Sequence, residues 1–372
     1  MAKRNLKKVV IASDSFKGSL PSGQVADLIA EEVIAAFPLC TVVKLPIADG
    51  GEGSVDTIIA AKGGTIYETE AISPDDRLIS AHFGIAADGT AIIEMAQSSG
   101  ISKQKSLNPM TSSTYGFGQL ILAALSRGAK NFVLCIGGSA TTDGGCGMAA
   151  ALGTQFADIQ DAKFTPCGGT LAKIARIDMS GIDRRIKECK FIVMCDVDNP
   201  LYGPRGAAFV YGPQKGADPG QVIALDGGLR HFGAVLFERF GIDYANTPGA
   251  GAAGGLGAGC LAFLDASIVK GSEAILNLCG FERHLIDADL IITGEGKLDT
   301  QSFSGKVLSG ILLQAGSVPV YSICGTCECE ESLLQKHGVR VFETSEGISI
   351  EESIAEPAKY IKAAARKAIG SF

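Results

Sequence analysis

No stretch of about 18 consecutive apolar residues occurs in the chain, so the sequence offers no membrane-spanning helix and no membrane partner is expected. No charged-then-apolar leader precedes Val9, and the protein reads as cytoplasmic. Basic blocks are also missing. Net charge is −7, and Lys3, Arg4, Lys7 and Lys8 read as a solvated lead-in, so nucleic acid is not an expected partner. Histidine is scarce, with four residues (His82, His231, His284, His337), all outside the segments that carry chemistry. Proton transfer is therefore expected to fall to a carboxylate. The absence of a Gly-x-Ser-x-Gly elbow disfavours acyl hydrolysis. The 11 cysteines are odd in number and mostly sit inside predicted strands and helices, as small apolar residues do. Around Cys324, Cys327 and Cys329 no second Cys or His pair completes a tetrahedral metal site, so these thiols read as a loop cluster.

Glycine, by contrast, is abundant, with 48 residues in 372. No low-complexity tract explains them; they gather where apolar runs end. Phe132 to Ile136 runs into Gly137-Gly138-Ser139-Ala140-Thr141-Thr142-Asp143-Gly144-Gly145, followed by a small-residue helix from Cys146 to Leu152. Such a loop brings N–H groups, hydroxyls and a helix N-terminus to one point, which suits an anion such as phosphate. Asp49-Gly50-Gly51-Glu52-Gly53 follows Val42 to Ile47 and opens a helix, Ser54 to Ala61. Gly249 to Gly255 opens a third helix, and Gly294-Glu295-Gly296-Lys297-Leu298-Asp299 follows the strand Leu290 to Thr293.

The pattern along the chain predicts a mixed α/β protein of two domains. A βαβ signature opens it: strand Val9 to Ala12, helix Gln24 to Phe37 with Ser22 as N-cap, strand Thr41 to Ile47. Tyr67 to Ile72, His82 to Ala86 and Ala91 to Met95 predict a meander. Strand–helix alternation returns with Leu290 to Thr293, Val318 to Cys324 and Val339 to Glu343, and helices near 304–314, 330–336 and 351–368. The expected architecture is a Rossmann/flavodoxin-like parallel-sheet domain of residues 1–63 with 285–372. A second mixed α/β domain, 64–284, is inserted into it, with an active-site cleft expected between the two.

Several segments carry chemistry. Asp14-Ser15-Phe16-Lys17-Gly18-Ser19 lies at the end of the first strand, where open α/β sheets bind ligands, and Lys17 could pair with a carboxylate or a phosphate. Asp196 and Asp198, ahead of Asn199 and Pro200, suit Mg²⁺ coordination or proton abstraction. Lys215 stands between glycines as a phosphate contact. Gly249 to Gly254 formally matches G-x-G-x-x-G but lacks a clear preceding strand and the later acidic residue, so it reads as a phosphate loop or a close helix-packing surface. Glu295 and Asp299 flank a strand end, and Lys306 stands at a helix start without the glycine spacing of a Walker loop.

Taken together, seven ordered segments resemble the bacterial glycerate kinase family of the glyoxylate- and glucarate-pathway type. They are Ala12 to Leu20, Ala48 to Gly53, Gly137 to Gly145, Cys195 to Leu201, Gly212 to Ala217, Pro248 to Gly255, and Thr293 to Ser302 with Gly305-Lys306. One departure is Ser13, where relatives carry Pro. The resemblance implies ATP-dependent phosphorylation of D-glycerate to 2-phosphoglycerate, with Mg²⁺ as cofactor, in a Rossmann-like domain bearing an inserted α/β domain. Under it, Asp196, Lys17 and Asp299 are the expected catalytic groups, with Asp196 as base or, with Asp198, as Mg²⁺ ligand. Lys17 and Asp14, Ser15, Asp49, Gly50, Gly51 and Glu52 are expected to hold glycerate. Gly137, Gly138, Ser139, Thr141, Asp143, Lys215, Gly251, Gly254, Glu295 and Lys306 are expected around the nucleotide phosphates. A nicotinamide-dependent hydroxy-acid oxidoreductase and a non-catalytic carboxylate sensor are the competing readings, and a homo-oligomer is left open.

Overall fold

A computed structural model describes residues 6–16, 19–45, 47, 50, 51, 53–303 and 306–372. The chain forms two compact units, one of Met1–Asp49, Ala60–Lys62 and Gly271–Phe372, the other of Gly50–Ile59 and Gly63–Lys270. Both are α/β.

In the first unit, apolar runs that can be buried on both faces become the strands of a parallel sheet. Val9 to Ala12 are fully buried within the strand Lys8–Ser13, which pairs with Thr41–Lys44 on one side and Leu290–Leu298 on the other. Val320–Cys327 and Val339–Glu343 extend the sheet, giving the spatial order Val339–Glu343, Val320–Cys327, Leu290–Leu298, Lys8–Ser13, Thr41–Lys44. Numbered along this unit, that is the doubly wound order 2-1-3-4-5. Helices Ser22–Ala36 and Pro357–Gly370 contribute Val25, Ile29, Val33, Ile361, Ala365 and Ala368 to the core shared with Val9, Ile11, Ile292 and Ile323.

Three details differ from the sequence expectation. Pro21, in an extended conformation, occupies the N-cap position, and Ser22 is already helical. The terminal helix is two helices, Ile350–Ala355 and Pro357–Gly370, because Pro357 cannot continue the first and instead starts the second. The strand from Leu290 does not stop at Thr293. It runs to Leu298, in register with the neighbouring strand at Glu295 with Cys324 and Leu298 with Cys327. Glycines permit this: a Cβ on Gly294 would stand 2.8 Å from the Ile323 carbonyl oxygen, and one on Gly325 would overlap that of Gly296. The Cys324 to Cys327 segment is accordingly strand and not loop.

The second unit is built on a six-stranded sheet in the order Ser267–Val269, Lys190–Met194, Asn131–Cys135, Thr90–Glu94, Leu78–Ala86, Gly64–Ile72. The first four strands are parallel and the last three form the expected antiparallel meander. Helix Tyr115–Leu125 and the apolar face of Ala252–Leu264 cover it through Phe117, Leu120, Leu256 and Cys260. Gly271–Leu278 and Phe281–His284 belong to the first unit, where the former packs on Val307–Gln314. No helix among the described residues is long and apolar enough to cross a membrane.

The G-x-G-x-x-G stretch shows why its glycines are needed. Ala253, Gly254 and Gly255 all have positive φ at the start of Ala252–Leu264, and a Cβ on Gly254 would overlap the Thr141 carbonyl oxygen. Gly254→Ala is expected to cost more than about 3 kcal/mol, since clash and left-handed strain act together. Gly227, inside helix Pro219–Phe240 with open space around its Cβ position, is the control: Gly227→Ala should stabilise by roughly 0.5–1 kcal/mol. Thermal unfolding of the two variants checks both signs, and a tolerated Gly254→Ala would refute the packing argument.

Candidate active site

The order of the first unit's sheet reverses between Lys8–Ser13 and Leu290–Leu298, so the carboxyl ends of these two strands flank the topological switch point. The Asp14 N–H donates to the Gly294 carbonyl at 2.9 Å, and the buried Ser13 hydroxyl donates to the Asp14 carbonyl at 2.9 Å. Ser15 N–H donates to Asp14 Oδ1 at 2.6 Å. This fixes Asp14 beside the strand position that carries Glu295.

Glu295 is the centre of a charged cluster. Its side chain is 14% exposed, and its Oε2 accepts from the Ser302 hydroxyl at 2.8 Å. Lys306 Nζ stands 3.9 Å from the same oxygen and 3.5 Å from Asp299 Oδ1. Asp299 Oδ1 also accepts from the N–H groups of Gln301 (2.9 Å) and Ser302 (3.3 Å). The two carboxyls are driven apart. Burial pushes Glu295 up to about 7, reinforced by the charges of Asp14 and Asp299 and only partly opposed by Ser302 and Lys306. Asp299 also feels a burial penalty, but Lys306 and its two backbone donors outweigh it and hold its carboxyl below the ordinary value. Neighbouring acids with divided proton affinities, sharing one lysine at a strand end, are the arrangement from which acid–base chemistry is built.

In the second unit, buried acids cap two of the helix starts that follow glycine turns. The buried Asp143 carboxylate accepts from Gly145 N–H (3.0 Å), Gly147 N–H (3.1 Å), Thr114 N–H (2.8 Å) and the Thr114 hydroxyl (2.8 Å). The helix start at Cys146, expected to hold phosphate, is thus filled by the chain's own carboxylate. Burial raises the Asp143 pKa, and its four donors oppose the rise. Glu94 does the same for helix Ser54–Lys62, accepting from Gly53 N–H (3.2 Å) and Val55 N–H (2.5 Å), with Gln97 at 3.3 Å. Glu94 and Thr114 were not singled out from the sequence. The signal for Glu94 was a charge closing the buried run Ala91 to Ile93.

Lys215 is 2% exposed and donates to the Thr141 carbonyl (2.6 Å) and the Ser139 hydroxyl (3.2 Å), so it braces the glycine loop from inside. Burial lowers its pKa to about 7, against the pull of Asp143. Gly137 N–H donates to Gly50 O at 3.2 Å, and a Cβ on Gly137 would stand 2.8 Å from Gly51 Cα; the Gly50–Gly51 and Gly137–Gly138 turns therefore touch. Gly251 abuts the Pro200 carbonyl and Gly254 the Thr141 carbonyl, which makes this stretch a packing surface. Asp198, expected at a metal, is mostly exposed and paired with Arg205 at 3.1 Å and 3.2 Å; Asp196 is exposed on the same loop. Lys17, Asp49 and Glu52 lie outside the described residues.

A model of the glycerate kinase family matches residues 9–372. The chain belongs to the glycerate kinase family. A glycerate kinase of Bacillus subtilis (strain 168) is 41% identical over 98% of this chain and 97% of its own length. A glycerate 2-kinase of Escherichia coli (strain K12) is 41% identical over 89% and 88%. The crystal structure of a Salmonella typhimurium LT2 protein described as a glycerate kinase 2 superposes with a TM-score of 0.87, at 36% identity and 99% and 98% coverage. As a member of the glycerate kinase family the chain is a phosphotransferase, and the α/β architecture read from its sequence is the one found.

Keeping Glu295 buried costs stability. Its carboxyl binds its proton more tightly when folded, so the folded state loses stability as pH rises from about 4.5, the ordinary value, to about 7, and the full cost is present above that. Glu295→Gln should therefore stabilise the protein at pH 8 by up to about 3 kcal/mol, with the gain vanishing toward pH 4.5. Melting temperatures of both proteins across this range test the claim; an equal difference at pH 5 and pH 8 would refute it.

Proposed function

We propose that this glycerate kinase family member transfers the γ-phosphoryl group of ATP to the 2-hydroxyl of D-glycerate, giving 2-phosphoglycerate and ADP in the cytoplasm. The observation that carries the reading is the Asp14, Glu295, Asp299 and Lys306 constellation at the carboxyl ends of two adjacent strands. Relatives named glycerate kinase and glycerate 2-kinase support the substrate and the position phosphorylated. In phosphoryl transfer the transferred group is loosely bonded and highly charged, so catalysis is mostly positioning and electrostatic stabilisation. Lys306 is the proposed cation for the moving phosphoryl, with Asp299 orienting it through their 3.5 Å contact. Asp14 and Ser15 at the first strand's end, with Lys17 and the Asp49–Glu52 loop, are the proposed glycerate contacts.

Magnesium enters this reading with the nucleotide. Among the described residues no three His, Cys, Asp or Glu side chains converge as a metal cage. Mg²⁺ carried on phosphate oxygens needs only one or two protein carboxylates, and Asp196 and Asp198, on one exposed loop, are the proposed ones. The bound ion would neutralise charge on the phosphates. The same reading takes the two compact units as a Rossmann-like domain and an inserted α/β domain.

The test is coupled ADP release with Mg-ATP and D-glycerate, with L-glycerate and tartronate as controls and phosphorus NMR of the product. D-glycerate-dependent turnover to 2-phosphoglycerate is expected. The 3-phospho isomer would overturn the regiochemistry, and no turnover with any of the three acids from folded protein would overturn the function.

A further inference from the structure

We infer that Glu295 is the general base of the transfer: it takes the proton of the acceptor hydroxyl as that oxygen attacks the γ-phosphorus. The inference rests on the proposed kinase reading and names a residue and role within it. In the step, the acceptor O–H bond breaks and its proton goes to Glu295, while the oxygen–phosphorus bond forms. The bond between the γ-phosphorus and the β,γ-bridging oxygen breaks, its electron pair leaving with ADP. Glu295 then returns the proton to solvent.

Four observations carry this. Glu295 lies on strand Leu290–Leu298 at the switch point of a parallel sheet, where loops and strand ends meet ligands and the backbone is fixed by pairing on a rigid scaffold. Ser302 and Lys306 both engage Oε2, and among the described residues no hydrogen bond reaches Oε1, the oxygen left for a hydroxyl. The carboxyl is buried but not sealed, with 14% of its side chain exposed. Finally, the charged and titratable groups that face it come from every neighbouring element: Asp14 from the first strand's end, Asp299 and Lys306 from the following segment, Cys324 and Cys329 from the paired strand and its continuation. Their balance, with burial dominant, brings the group to about 7, close to the value at which a base is both ionised and able to accept a proton near neutral pH. Asp196, the base expected from the sequence, is exposed and has no comparable enclosure.

The experiment compares pH–rate profiles of the full-length wild type, Glu295→Gln and Ser302→Ala with D-glycerate and Mg-ATP. Wild-type kcat should rise through about pH 7 as the base ionises. Glu295→Gln should lower kcat by about 10²–10⁴-fold, change KM values little and lose that limb. Ser302→Ala removes a hydrogen bond that favours the ionised carboxyl, so its limb should move to higher pH while kcat on the plateau stays within a few-fold. A folded Glu295→Gln protein with kcat within about threefold of wild type, or with the limb near pH 7 intact, overturns the inference. Failure of the wild type itself to turn over D-glycerate overturns the kinase reading and this role together, so the two failures are distinct. Circular dichroism and melting temperature of each variant separate lost chemistry from lost fold.

Discussion

The second unit depends on a carboxylate placed where a ligand was expected. Asp143 sits fully buried at the start of helix Cys146–Ala151 and satisfies three backbone N–H groups and one hydroxyl. Without it, those donors would face an apolar interior at a cost of about 1–3 kcal/mol each. The consequences spread outward. Thr114 is fixed between Asp143 and Met148 N–H, which orients helix Tyr115–Leu125 against Cys146–Ala151. The glycine loop is held from its other end by Lys215 at Thr141 and Ser139. Glu94 repeats the arrangement one strand away, so both glycine turns that touch at Gly50 and Gly137 are secured from within by a buried acid at the helix that follows.

The first unit uses acids the other way. Asp143 and Glu94 spend their hydrogen-bonding capacity mainly on the backbone, whereas among the described residues Glu295 has one hydroxyl and a distant ammonium for partners and keeps a poorly solvated carboxyl at a strand end. A carboxyl fully committed to N–H donors is a structural element. One that is buried and under-satisfied is a reservoir of reactivity, maintained by the packing around it.

Much of this was legible in the sequence. The three inner strands of the first unit read as apolar runs because parallel strands covered on both faces carry little polar alternation, and Val9 to Ala12 is the clearest case. The meander from Gly64 to Glu94 was announced by its turn residues. What the sequence concealed has physical causes. Gly294, Gly296 and Lys297 look like a loop, and only the nearness of Gly325 on the neighbouring strand explains how a strand continues through them. The helix start at Cys146 has the same local pattern whether its anion is a ligand or a nearby Asp, since burial is what decides. Asp14, Glu295, Asp299 and Lys306 were each identifiable as strand-end polar residues. That both ends of the chain share one sheet was expected; that Lys8–Ser13 and Leu290–Leu298 are direct neighbours, which brings Asp14 beside Glu295, was not, because strand order depends on how the whole sheet packs.

That pairing also orders events in time. Lys8–Ser13 finds its partner Leu290–Leu298 only after about four-fifths of the chain has been synthesised, and the sheet is complete only when Val339–Glu343 has emerged. The residues from Gly63 to Lys270 contain nearly all of the second unit, with its own six-stranded sheet, and are available long before. During translation Lys8–Ser13 therefore has only helix Ser22–Ala36 and strand Thr41–Lys44 to cover it, and its edge toward Leu290–Leu298 stays open while the intervening segment folds, the kind of unpaired strand edge from which aggregation starts.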